Sequence, residues 1–130
     1  MIKFAYTILY VEDVEKTIGF YEKAFGFSRK FIAPGSEYGE LSTGDTTLSF
    51  AAFSLIRQNL SRGFLESRPD GKPFGIEIAF AVEDVEAAFQ NAVKAGATVV
   101  EKAKVKPWGQ TVAYVKDPNG FLIEICTPMG

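Results

Sequence analysis

Two glutamates, Glu77 and Glu124, stand in strongly apolar segments where a carboxylate could do chemistry. Glu124 lies between Ile123 and Ile125, so the alternation of a strand turns its side chain to the opposite face. Glu77 shares a face with Ala79. If the two carboxyl groups are buried close together, they cannot both ionise cheaply, and a shared proton or a bound cation is expected. The alternative is that Glu77 faces solvent and pairs with a lysine or arginine.

Histidine is absent from the 130 residues, and this narrows the possible chemistry. Its absence removes the usual general base and excludes Ser-His and Cys-His nucleophilic pairs. Zinc and iron sites favour imidazole ligands, whereas two carboxylates alone would hold Mg²⁺ or Ca²⁺ only with waters. Cys126 is the single cysteine and is interpreted as a small packed hydrophobe. The sequence therefore predicts no metal and no cofactor.

A repeated pentapeptide shows how the chain is organised. Val-Glu-Asp-Val-Glu occurs as Val11–Glu15 and again, 71 residues later, as Val82–Glu86. Each copy ends an alternating apolar run and opens an amphipathic stretch. The chain therefore reads as two copies of one supersecondary unit.

The first copy predicts a β-α-β-β-β module over residues 3–53. Lys3–Val11 alternates and predicts a strand. Asp13 is placed to cap a helix that Gly26 ends. The apolar stripe of that helix and the three strands that follow are Val14, Ile18, Tyr21 and Phe25, then Ser28–Ile32, Tyr38–Ser42 and Thr46–Phe53.

The second copy predicts the same order of elements over residues 75–128. A strand around Ile76–Val82 precedes a helix that Asp84 caps and Gly96 closes. Three strands are predicted near Thr98–Lys102, Thr111–Val115 and Phe121–Thr127, with a strong turn at residues 117–120. Residues 54–74 are interpreted as a linker in which a helical turn is left open. The predicted fold is α+β, with two tandem modules in one domain spanning residues 1–130.

Composition limits the partners. The formal net charge is −2, which argues against nucleic acid because such partners require a basic patch. No apolar run approaches the roughly 20 residues that span a bilayer. The amino terminus is read as a strand and not as a signal peptide. The expected setting is cytoplasmic, with a small-molecule partner and no membrane.

These modules resemble the vicinal oxygen chelate superfamily, which includes glyoxalase I, extradiol dioxygenases and the fosfomycin- and bleomycin-resistance proteins. The resemblance spans Phe4 to Pro128. It is carried by residues 9–15, 20–27, 107–109 and 117–124, which read LYVEDVE, FYEKAFGF, PWG and DPNGFLIE. It implies two curled sheets around a cavity, and a homodimer whose cavities use both chains.

The resemblance also implies four site positions, one on the first and one on the last strand of each module. Here they are Tyr6, Ser49, Glu77 and Glu124. The absence of imidazole from this quartet favours the metal-free, bleomycin-resistance-like members. No lysine or arginine is expected on the cavity faces, which excludes a fosfomycin-type thiol transferase.

Strand alternation and the resemblance together give a ligand-binding surface. Its predicted members are Tyr6, Ile8, Tyr10, Ser49, Phe53, Glu77, Trp108, Leu122 and Glu124. Aromatic rings would stack on a planar ligand, and the glutamates suit a cationic one. The leading hypothesis is sequestration of an aromatic or cationic compound such as an antibiotic. The alternative is a lyase or isomerase with Glu124 as general base, aided by Glu77 or by a loosely held divalent ion; a third is a scaffold for protein interaction.

Overall fold

The computed structural model describes residues 1–129 and contains two β-α-β-β-β modules. The chain divides into two compact units: one comprises Met1–Glu22 and Gly26–Glu66, and the other comprises Lys23–Phe25 and the chain from Ser67 onward. The elements are β1 (Tyr6–Val11), α1 (Val14–Phe25), β2 (Ser28–Ile32), β3 (Tyr38–Ser42), β4 (Thr47–Ala52), α2 (Phe53–Asn59), β5 (Glu77–Ala81), α3 (Val85–Ala95), β6 (Thr98–Val105), β7 (Thr111–Lys116) and β8 (Leu122–Cys126). None of the helices in residues 1–129 is long and apolar enough to cross a membrane.

The repeated pentapeptide starts a helix in both places, as predicted. The Asp13 carboxylate accepts a hydrogen bond from the Lys16 N–H at 3.0 Å, and Asp84 does the same for the Ala87 N–H at 3.0 Å. Each bond satisfies one of the amide groups left unpaired in a first helical turn. Gly26 closes α1 with φ of 74°, a left-handed conformation that glycine adopts without strain.

The sheet of the first unit has the strand order β1-β4-β3-β2. β1 runs parallel to β4, and the other two pairings are antiparallel. One face packs against α1: Leu9, Val11 and Phe50 are buried there, and the Tyr21 ring stacks on Phe50 at 5.2 Å. The predicted apolar stripe of α1 is the reason for this packing.

The sheet of the second unit has the same arrangement, in the order β5-β8-β7-β6. β5 is parallel to β8. Val85, Phe89 and Ala92 are the buried residues of α3. They pack on the sheet face that carries the buried Ile123 and Ile125.

The opposite face of each sheet carries the polar side chains, and we call it the polar face. In the first unit it includes Tyr6, Ile8, Tyr10, Tyr38, Glu40, Ser49 and Ala51, and in the second Glu77, Ala79, Ala81, Tyr114, Leu122, Glu124 and Cys126. The predicted alternation of β1, β5 and β8 is therefore confirmed.

The prediction that Phe53 ends the last strand of the first module is wrong. β4 ends at Ala52 and Phe53 begins α2, so its ring is not presented by a strand. The ring instead lies 5.5 Å from that of Phe64, and the Arg57 guanidinium sits 5.5 Å above it. The segment read as a linker thus starts with a helix whose Ile56 is buried.

The turn between β7 and β8 anchors the chain that precedes β5. The Asp117 side chain, which is buried, accepts hydrogen bonds from the Asn119 and Phe121 N–H groups at 2.9 Å each. Gly120 has φ of 96° and lies directly against the backbone carbonyl of Arg68. A Cβ at position 120 would overlap that carbonyl, so glycine is required for two independent reasons.

Gly120→Ala is expected to lower the free energy of unfolding by about 2 kcal/mol more than Gly109→Ala does. Gly109 is the matched control because its φ is 99° but no atom lies within 4 Å of the place that a Cβ would take. Urea unfolding of both variants measures the difference. Equal losses would show that the Arg68 carbonyl does not restrict this turn.

Candidate functional site

Strand register brings a group of polar side chains together in the second unit. Glu77 pairs with Leu122 and Ala79 pairs with Glu124 across the parallel β5–β8 ladder. Tyr114 pairs with Glu124 across β7–β8. Residues in register share a face. We call Glu77, Tyr114, Glu124 and Cys126 the Glu77–Glu124 cluster.

The two carboxyl groups of this cluster lie on the same face of neighbouring strands. Partial burial raises the pKa of Glu77, and the neighbouring Glu124 raises it further, so both effects favour the protonated form of Glu77. Glu77 is nevertheless exposed to solvent, whereas Glu124 is half-buried. The expectation of two buried carboxyl groups that share a proton therefore stays a prediction.

Tyr114 and Cys126 complete the cluster. The Tyr114 hydroxyl donates a hydrogen bond to Glu124 Oε1 at 3.0 Å. Burial, that hydrogen bond and the charges of both glutamates raise the pKa of Tyr114 to about 12. Burial also raises the pKa of the Cys126 thiol, and Glu124 adds to the effect. Tyr114 is thus a donor to Glu124, whereas the Cys126 thiol donates to the Phe80 carbonyl at 3.7 Å.

The first unit carries a second polar group, formed by Lys30, Tyr38, Glu40 and Ser49, which we call the Tyr38–Glu40 cluster. Tyr38 Oη lies 2.6 Å from Glu40 Oε2 and 3.1 Å from Ser49 Oγ. Since a phenol has one proton, the hydroxyl of Ser49 donates to Tyr38 and that of Tyr38 donates to Glu40. Lys30 Nζ lies 3.7 Å from Glu40 Oε1.

The expectation that no lysine or arginine reaches these faces is wrong. Lys30 pairs with Glu40, because a bulge in the β2–β3 ladder shifts the register between Arg29 and Phe31. Lys116 belongs to the polar face of the second sheet, where it pairs with Leu122. Its Nζ donates to the carbonyls of Pro69 and Gly71 at 2.8 and 3.0 Å, so this ammonium is held by backbone.

The other predicted ligand-binding residues on strands do not gather in one group. Tyr6 and Ile8 lie on the polar face of β1 and are 51% and 38% exposed. Burial and Glu40 raise the pKa of Tyr38, and Tyr6 is close enough to add to that effect. Tyr10 packs edge-on against Phe64 at 5.1 Å. Leu122 is half-buried opposite Glu77.

Trp108 is not part of the Glu77–Glu124 cluster. It lies in the turn between β6 and β7, is 64% exposed and donates from Nε1 to Gln110 Oε1 at 2.7 Å. It lines a shallow cleft of about 320 Å³ together with Thr127, Pro128 and Met129. This cleft lies past the carboxyl end of β8, whereas Glu77 pairs with the first residue of that strand.

Tyr38, Glu40 and Tyr114 are site residues that sequence reasoning missed. A hairpin register counted outward from the predicted turns would have missed the observed pairs by one residue. Residues 117–120 would pair Tyr114 with Ile123 in place of Glu124, and residues 43–45 would pair Glu40 with Leu48 in place of Ser49. The bulge that brings Lys30 to Glu40 also left no signal in the sequence.

Residues 3–125 match the model of the Glyoxalase/Bleomycin resistance protein/Dioxygenase superfamily. The chain belongs to this superfamily. It is 31% identical over 126 residues to a probable lactoylglutathione lyase of Vibrio parahaemolyticus, covering 92% of this chain and 86% of that protein. It is 30% identical over 128 residues to a lactoylglutathione lyase of Arabidopsis thaliana, covering 95% of this chain but only 43% of the plant protein. The chain thus spans less than half the length of that relative.

Solved structures share the superfamily fold. A glyoxalase-related enzyme from Fulvimarina pelagi superposes with a TM-score of 0.83 at 23% identity, covering 100% of this chain and 94% of that one. A hypothetical protein from S. aureus gives 0.81 at 26% identity, covering 98% and 95%. These similarities show that the two modules have the fold of the superfamily.

The donor set does not fit the metal centres that the superfamily implies. The sequence contains no histidine. Among residues 1–129, no three His, Cys, Asp or Glu side chains are grouped so that they could hold a metal ion. The four positions that the resemblance implies are occupied by Tyr6, Ser49, Glu77 and Glu124, which supply a phenol, a hydroxyl and two carboxyl groups. Zinc and iron sites favour imidazole or thiolate ligands in such a set.

Glu77→Gln is expected to change how stability depends on pH. Because folding raises the pKa of Glu77, the stabilisation from its proton is complete below the ordinary glutamate range and is lost as pH rises through the folded value. The variant should therefore gain stability relative to the parent as the pH rises above the ordinary glutamate range. Urea unfolding across this range measures the trend, with the exposed Glu83→Gln as control for losing a charge. A constant difference between variant and parent would contradict the raised pKa of Glu77.

Proposed function

We propose that this chain moves protons on a small carbonyl compound, as a lyase or isomerase that uses Glu124 as base and Glu77 as acid. The observation that carries the proposal is the β5–β8 register, which places the Glu77 and Glu124 carboxyl groups on one face of neighbouring strands. The raised pKa of Glu77 supports a pair made of one acid and one base.

The chemistry follows from the state of each group. The Glu124 carboxylate takes a proton from the carbon next to a carbonyl, while the Glu77 carboxyl gives its proton to the carbonyl oxygen. The C–H electron pair becomes the carbon–carbon double bond of an enol. Returning a proton to carbon and one from oxygen restores both glutamates, so no oxidant or reductant is needed. Tyr114 holds Glu124 in place through its hydroxyl.

The relatives support this class of reaction. Two of them carry the name lactoylglutathione lyase at 30–31% identity, and the lactoyl group has a C–H bond beside a carbonyl. Residues 1–129 provide no donor set for a zinc or iron centre, so the proposed proton transfer rests on the chain's own carboxyl groups.

Binding without chemistry is the second candidate, and it corresponds to the leading hypothesis from the sequence. The raised pKa of Glu77 favours it, because an ammonium group of a ligand placed between the carboxyl groups would let both ionise. Under this hypothesis an amine ligand lowers the pKa of Glu77, and no exchange of substrate hydrogen occurs.

Incubation of lactoylglutathione with the protein in D₂O is expected to place deuterium at the lactoyl C–H. Glu124→Gln should slow this exchange by about 10²-fold or more, the usual contribution of a general base. Proton NMR of the lactoyl signals measures the rate, after the protein has been treated with a chelator.

Glu83→Gln, in the exposed loop before α3, is the matched control and should exchange at the parental rate. Exchange that vanishes with the chelator would overturn the metal-independent step. Exchange that survives Glu124→Gln would overturn the role of Glu124. If the parent shows no exchange but an amine ligand lowers the pKa of Glu77, binding alone is the function.

A further inference from the structure

Both units have a hydrogen bond between a tyrosine hydroxyl and a carboxylate on the polar face. The strand that carries the carboxylate differs between the two units. In the second unit the last strand carries Glu124 and the neighbouring strand carries Tyr114. In the first unit Ser49 takes the position of Glu124, because Ile8 lies opposite Ser49 as Ala79 lies opposite Glu124. The carboxylate stands on the neighbouring strand, where Glu40 pairs directly with Ser49.

A hydrogen bond orients Glu40 Oε2, whereas Glu40 Oε1 has only a cation as its neighbour. The chain of donors runs from Ser49 through Tyr38 to Glu40 Oε2, with Ser49 wholly buried and Glu40 8% exposed. Glu40 Oε1 faces the Lys30 ammonium, at 3.7 Å. That distance is too long for a hydrogen bond.

The Lys30 side chain shows that Glu40 Oε1 can be reached from solvent. It is 58% exposed while the Glu40 side chain is 10% exposed, so a flexible ammonium extends from water to a buried oxygen. Exposed ion pairs of this kind contribute little and exchange easily. An external ammonium of similar size could therefore replace it.

The ion pair with Lys30 adds little to stability, because the Lys30 ammonium is mostly solvated and such pairs are weak. Two hydroxyl groups that orient a carboxylate towards one open direction are instead typical of a site prepared for a ligand.

We infer that Glu40 is a ligand-anchoring carboxylate of the first unit, and that its Oε1 binds a protonated primary amine in the place where Lys30 now lies. Lys30 is then an internal competitor for this position. The Tyr38–Glu40 cluster thereby acts as a binding site for small ammonium compounds, separate from the proton transfer proposed at Glu124.

Titration with propylammonium tests this inference, with the Glu40 side-chain carboxyl carbon followed by NMR. In the parent the amine should shift the Glu40 signal in a saturable way, and propanol should not. Lys30→Gln should tighten the apparent affinity by about two- to fivefold, the range expected from removing one exposed ion pair. In Glu40→Gln, the Tyr38 ring signals, which report on the same cluster, should show no saturable response to propylammonium.

Lys104→Gln removes an exposed lysine from β6 and is the matched control for the loss of a positive charge. An unchanged affinity in Lys30→Gln, or a Glu40 signal that does not respond in the parent, would overturn the inference even if Glu40→Gln failed to fold. Glu124→Gln should leave the response of Glu40 intact, so failure here and failure of the deuterium exchange are distinguishable.

Discussion

The register between the first and the last strand of each module is the constraint on which both polar faces depend. Parallel pairing sets Ile8 opposite Ser49 and Ala79 opposite Glu124. Because side chains alternate along a strand, a shift of one residue would turn every polar group towards the helix and every core residue away from it. The buried residues of the helix face, such as Phe50 and Ile125, prevent that shift. The positions of the carboxyl groups therefore follow from the packing of apolar residues on the other side of the sheet.

Much of the fold was predictable because local signals agreed with one another. Asp13 and Asp84 act as caps, and the strands over residues 28–32 and 38–42 have the predicted bounds, since capping and alternation are local properties. Phe53 was assigned wrongly because an apolar residue after a strand fits a strand or a helix start equally well; its ring contacts Phe64 and Arg57, which lie outside β4.

The candidate site was only partly predictable, for a different reason. The face of Glu77 and Glu124 follows from alternation, but their interaction depends on which strands are neighbours. Tyr114 could not be assigned as the partner of Glu124, because the strands pair one residue away from the register that residues 117–120 predict. Lys30 reaches Glu40 only through a bulge in β2, and no pattern in the sequence indicated that bulge. Alternation therefore predicts the face of a side chain, whereas its partner across strands depends on the exact length of each turn and bulge.

The absence of imidazole limits the metal-binding chemistry of the polar faces but does not affect the fold of the sheets. A metal site needs several donors at one point, but the chain offers at each face a carboxylate with a tyrosine hydroxyl bonded to it. Such a pair orients one oxygen and leaves the other for a proton or a cation. In the second unit the neighbour is another carboxyl group, which favours a protonated Glu77; in the first unit it is the Lys30 ammonium. Under our two proposals, the duplicated frame carries acid–base chemistry in one copy and recognition of a cation in the other. The difference would arise from the neighbour of a single carboxylate in each unit.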